Sequence, residues 1–177
     1  MRSSRAATAA PVALLLLALA AAPCTAQGAA QYFLQLDSVP GDSTDAHFNG
    51  SIVLLSFTIG GDPPRSEGGA IKATKFLDRA SPQLWLANST GKHFSKATVT
   101  ARKSMPSGFV FATVVLTDVT ITAYQATMGQ EGVSEEVTLS GARVQFCERF
   151  QKPDGKLGGS VCGCWDYKVR VPSCNPT

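Results

Sequence analysis

The residues best able to do chemistry in this chain are four cysteines crowded near its end: Cys147, Cys162, Cys164 and Cys174. Thiols in an oxidising compartment pair as disulfides, whereas four thiolates at suitable spacing hold zinc. The single residue between Cys162 and Cys164 is shorter than the knuckle that zinc sites use, so the spacing favours two disulfides. If 151–160 (QKPDGKLGGS) is a hairpin connection, Cys147 lies nearly opposite Cys162 or Cys164. Side chains two apart on a strand share a face, so either partner fits. No metal and no cofactor is expected.

The other reactive groups are sparse. His47 and His93 are the only histidines, and a lone imidazole beside a turn is more often a hydrogen-bonding brace than a catalyst. Asp42, Asp45, Glu67 and Asp78 lie in turn-like sequence, where solvation is the default state of a carboxylate. No nucleophile elbow, histidine-rich metal motif or phosphate-cradling glycine loop accompanies them. With no nucleophile–base pair to name, an enzyme is not expected. Asn49-Gly50-Ser51 and Asn88-Ser89-Thr90 are glycosylation sequons, meaningful only in a eukaryotic host.

The chain opens with something other than fold. Arg2 and Arg5 precede an unbroken apolar run, VALLLLALAAA at 12–22, and Cys24-Thr25-Ala26 ends in a small residue. That is the layout of a secretory signal over 1–26, removed after Ala26. The run is about half of the roughly 20 residues that span a bilayer, so no membrane anchor is expected. The product is expected in the periplasm or outside the cell, where disulfides persist. A formal charge of +3, two units of which come from Arg2 and Arg5, is too weak to suggest nucleic acid as a partner.

Residues 27–177 suffice for one domain with a real core, ending in a cysteine-containing extension. Most of it reads as strand: 32–37, 51–59 (SIVLLSFTI), 96–103 (KATVTARK), 109–124, 137–150 and 162–171. In KATVTARK, Ala97, Val99 and Ala101 share one face and the polar residues share the other. Many strands separated by polar turns predict an antiparallel barrel or sandwich. The segment Gly60-Gly61-Asp62-Pro63-Pro64-Arg65-Ser66-Glu67-Gly68-Gly69 reads as a projecting loop.

One segment differs. Ser81 followed by Pro82 is a helix start, with the serine as cap, and Gly91 suits a left-handed stop. A short helix over 82–90 is predicted, the sole one in a β protein. Too short to stand alone in water, it is expected to plug a barrel end with Leu84 and with Trp85 or Leu86.

The same segment carries a resemblance. Lys75-Phe76-Leu77-Asp78-Arg79-Ala80-Ser81-Pro82-Gln83-Leu84, followed by Ser89-Thr90-Gly91-Lys92-His93, resembles the signature of the Hcp family, the tube proteins of type VI secretion systems. Tyr32-Phe33-Leu34-Gln35-Leu36-Asp37 is similar to the family's first strand, and Gly41-Asp42-Ser43-Thr44-Asp45 with His47 to its acidic turn. Leu116-Thr117-Asp118-Val119, Glu136-Val137-Thr138-Leu139 and Trp165-Asp166 follow in the family's order. The resemblance implies a β-barrel with one helix, hexameric rings stacked as a tube, and a lumen in which small effector proteins can ride. It assigns the 60–69 loop to contact between rings, and Asp78, Ser81, Pro82, Leu84, Gly91, Lys92 and His93 to a structural motif. The signal and the four cysteines lie outside the family's pattern. Two functions are therefore carried forward: an exported ring-forming structural subunit, and a stand-alone secreted binding module stabilised by disulfides.

Overall fold

The structure is a computed structural model and describes residues 29–60, 68–104, 108–130, 132–152 and 156–174. The expected signal and residues 61–67 of the glycine-proline loop lie outside the described residues. Among the described residues, eight strands and one helix follow in the order β1 (Ala30–Leu36), β2 (Ile52–Leu54), β3 (Ser56–Gly60), β4 (Gly69–Phe76), α1 (Ser81–Thr90), β5 (His93–Lys103), β6 (Val110–Gly129), β7 (Gly132–Gln151) and β8 (Leu157–Asp166). All strand pairs are antiparallel, in the order β2-β1-β5-β6-β7-β4-β3, with β8 also on β7. The two ends of that path are consecutive in the chain. Leu55 joins them, and its amide donates to the Thr74 carbonyl at 2.8 Å. The sheet therefore curls round on itself, which protects most edges from stray pairing.

Alternation drives the curl. Ala97, Val99 and Ala101 are buried on β5, as the KATVTARK pattern predicts, and Ala97 and Val99 meet Leu34, Ile52, Ile71, Val114, Leu116, Val137 and Leu139 in one core. β6 and β7 form its trunk, a long hairpin paired from Ala112–Glu148 to Gly129–Gly132. The far edge of β7 is shared: β4 takes residues 134–141 and β8 takes residues 143–151.

The structure departs from the sequence expectations in several places, with β6 and β7 each about five residues longer than expected at their shared turn. The 51–59 run breaks at Leu55 into β2 and β3, because one bent segment must serve both ends of the sheet. β4 was not expected as a strand; its IKATK stretch looks polar, yet Ile71, Ala73 and Lys75 all point inward. The last strand runs from Leu157 to Asp166 rather than over 162–171, and residues 167–170 turn back so that Val171 bridges Asp166. The helix starts one residue earlier than expected, at Ser81.

Candidate functional site

The signature segment folds around a buried charge cluster. Alternation along β4 places Lys75 inward after Ile71 and Ala73, and alternation along β7 places Glu135 inward ahead of Val137 and Leu139. The register makes Lys75 and Glu135 direct cross-strand partners. Their side chains are 1% and 0% exposed, and the ammonium pairs with Glu135 Oε2. Lys75 Nζ also donates to Ser81 Oγ at 2.9 Å and sits 2.9 Å from Asp78 Oδ1. Ser81 Oγ donates in turn to Glu135 Oε2 at 2.8 Å, and the Tyr124 hydroxyl donates to Glu135 Oε1 at 2.6 Å. Two buried charges are tolerable only when paired and fully hydrogen-bonded, and both conditions hold here.

Electrostatics follow from that wiring. Burial acts to raise the pKa of Glu135, but bonds from Lys75, Tyr124 and Ser81 outweigh it and hold the carboxyl below its ordinary value. Burial, followed by the neighbouring Glu135 carboxylate, pushes the Tyr124 phenol well above its usual range. A serine hydroxyl beside a lysine amine resembles a nucleophile and its base. Here, however, Lys75 is engaged by two carboxylates, and both side chains are sealed from solvent. The cluster binds β4, α1, β6 and β7 to one another.

Ser81 is thus not the helix cap that its sequence position suggests. Ala80 occupies the cap position without a side-chain bond, and the Ser81 hydroxyl turns inward to Lys75 and Glu135. The start is braced by Asp78, whose Oδ1 accepts from the Ala80 amide at 2.9 Å. Asp78 is correspondingly not a solvated turn carboxylate, with 10% of its side chain exposed. Pro82 lies in the first turn, where its missing amide costs nothing. Gly91 takes φ 66°, and the Lys92 amide donates to the Ala87 carbonyl at 3.1 Å, closing the helix. Leu84 and Ala87 are buried. Trp85 or Leu86 is the expected second residue of the plug beside Leu84, yet the two are 57% and 54% exposed. Their positions fall on the opposite side of the helix from Leu84 and Ala87 (periodicity 3.6).

Around this core sit several polar braces. His93 Nδ1 lies 2.9 Å from Asp118 Oδ1, and Lys168 donates to Asp118 Oδ2 at 2.6 Å, tying the last turn to β5 and β6. Lys92 lies over the Phe94 ring, 5.1 Å from its centroid. Arg102 grips Asp45, with Nη1 3.1 Å from Oδ1, and its guanidinium lies over the stacked Phe33 and Phe48 rings. The Arg102 bonds, then the His47 amide, lower the Asp45 pKa to about 2. Arg143 likewise holds the Asp166 carboxyl below its ordinary value.

A carboxylate with a depressed folded pKa contributes stability above its unfolded pKa, and that contribution is lost as pH falls through the folded value. For Asp45 the interval runs from 3.8 down to about 2. The melting temperature is therefore expected to change little from about pH 7 to 5 and to drop between about pH 4 and 2. Asp45→Asn should make that drop shallower, and a melting temperature flat to about pH 2 would contradict the ion-pair account.

The four cysteines lie on the β7–β8 hairpin and its tail. Cys147 bonds Cys162 with S–S 2.05 Å, and Cys164 bonds Cys174 with S–S 1.95 Å. Cys147 and Cys162 are also direct register partners. Among the described residues no group of three or more His, Cys, Asp or Glu is placed to hold a metal ion. Of the 60–69 loop, Gly60 ends β3 and Gly69 begins β4. A Cβ at Gly69 would meet Val144 at 2.2 Å, so that close approach requires glycine.

The comparisons with known proteins agree with this architecture. A profile described as "Type VI secretion system effector, Hcp" matches residues 33–146. The chain is similar to protein hcp1 of Pseudomonas aeruginosa, 34% identical over 102 residues, which is 55% of this chain and 63% of that protein. The match thus spans less than two thirds of that relative. Hcp1 from Salmonella typhimurium superposes with TM-score 0.72 and 24% identity, over 82% of this chain and 99% of that one. A type VI secretion system effector from Yersinia pestis gives TM-score 0.66 and 23% identity, over 76% and 98% of the two chains. Those two likenesses establish the shared fold, and the profile establishes the relationship. The chain belongs to the Hcp family of type VI secretion system proteins.

Proposed function

We propose that this protein is an exported, non-enzymatic ring-forming subunit of the Hcp kind, delivered by a signal over 1–26 and beginning at Gln27. The observation that carries the reading is the family match over 33–146 on a fold that spans nearly the full length of Hcp structures. Two features support it. Phe76, Leu77, Trp85 and Leu86 are all exposed within one stretch of chain, apolar surface that a subunit interface would cover. The sealed Lys75–Ser81–Glu135 cluster spends its reactive groups on cohesion rather than on a substrate.

In this reading one interface repeats head to tail until the ring closes. By the same family likeness the 60–69 loop mediates stacking, and the lumen accommodates small effector proteins. Electron microscopy of the exported protein, combined with N-terminal sequencing, tests the reading. Rings from a chain beginning at Gln27 are expected, and shortening residues 61–67 should leave rings that fail to stack. An intact Met1 on the exported protein would overturn the signal assignment, and a field of single barrels would overturn the ring.

A further inference from the structure

Among the described residues, the β7–β8 hairpin and its tail alone are held by disulfides. From Leu157 to Gly163 the β8 side chains lie outside the core, with Leu157 and Val161 45% and 68% exposed. Both disulfides fall here: Cys147–Cys162 pins this outer half to β7, and Cys164–Cys174 folds the tail back onto β8. None of the four cysteines belongs to the core cluster. The other end of β8 is anchored without sulfur. Arg143 Nη2 lies 2.9 Å from Asp166 Oδ2, the Tyr167 amide donates to the Ala142 carbonyl at 2.9 Å, and Lys168 reaches Asp118. Cys162 itself is exposed, so a soluble thiol can reach the bond.

We propose that residues 157–163 are a redox-operated strap, held against β7 by the Cys147–Cys162 bond and released from it by reduction while the barrel stays folded. The hinge is the anchored turn at Asp166. Release needs a dithiol reductant. One of its thiolates attacks a sulfur of the bond, forming a mixed disulfide and expelling the partner cysteine as a thiolate, which takes up a proton. The second thiolate of the reductant then closes on the first, freeing the other cysteine and leaving the reductant oxidised by two electrons. With the strap open, β7 loses its β8 partner along residues 146–150, and the amides and carbonyls of that edge turn to solvent. A reducing compartment keeps that edge available, and oxidation after export covers it. The strap is a property of the single chain and does not depend on ring formation.

Hydrogen exchange with mass-spectrometric detection, on the protein with and without dithiothreitol, tests the proposal. Amides of residues 157–163 are expected to exchange roughly a hundredfold faster after reduction, while those of Val114, Leu116, Val137 and Leu139 keep their rates. Cys147→Ser with Cys162→Ser should reproduce the local change without reductant. Uniform acceleration across the core would overturn the proposal, since the bonds would then hold the barrel itself. Unchanged exchange in residues 157–163 would also overturn it, since the backbone ladder alone would hold the strap.

Discussion

Lys75→Met is expected to destabilise the fold by about 3–5 kcal/mol, because it strands the Glu135 carboxylate in the core without its partner. Glu135 is fully buried, and Lys75, Ser81 and Tyr124 are the donors that offset its desolvation. Methionine matches the lysine stem in bulk, so the loss measures the missing charge rather than a cavity. The variant also carries a pH signature. Unpaired, Glu135 takes a folded pKa above its unfolded one, so its contribution to stability is retained at low pH and lost as pH rises through the folded value. The deficit should therefore shrink as pH falls towards about 4. Replacing Glu135 with leucine in the same chain should recover much of the loss, as removal of whole buried pairs often does. Urea unfolding of the single and double variants is the measurement. A cost below about 1 kcal/mol for Lys75→Met would mean that Glu135 is reached by water and the cluster is not a closed network.

Leu84→Ala is the second large effect, at about 2–5 kcal/mol, from lost burial and the cavity left between α1 and the barrel. Leu84 is 0% exposed and packs into the core cluster, whereas Trp85 and Leu86 face outward. Trp85→Ser and Leu86→Ser should each change monomer stability by no more than about 0.5 kcal/mol. Thermal or urea unfolding of the three variants separates a helix plugged by one leucine from one plugged by several residues. Comparable losses at all three positions would contradict the observed orientation of α1.

The contrast between these positions shows how far the sequence could be read. Period-two alternation in KATVTARK and the Ser-Pro start and glycine stop of α1 are local signals, and the structure realises them within a residue. β4 escaped because its two lysines mask the phase of Ile71 and Ala73. Extending that phase by two residues would have pointed Lys75 inward, and the same step back from Val137 would have reached Glu135. Their pairing is tertiary, fixed by the β4–β7 register across 60 residues of chain, which no local pattern contains. The serine cap failed for a related reason: a buried ammonium and carboxylate compete for the hydroxyl more strongly than helix amides do. Trp85 and Leu86 were assigned by bulk, but which face of a one-helix plug is covered depends on its rotation over β6. At the C-terminus, facing strands left Cys162 and Cys164 equally suited to Cys147, and the register then placed Cys162 opposite it.

The ring is the central claim, and sedimentation velocity tests it most directly. The sample is the protein beginning at Gln27, with both disulfides intact, at micromolar concentration. The account predicts one boundary at the mass of a hexamer. A single boundary at the mass of one chain, with the barrel folded and both bonds formed, would contradict it.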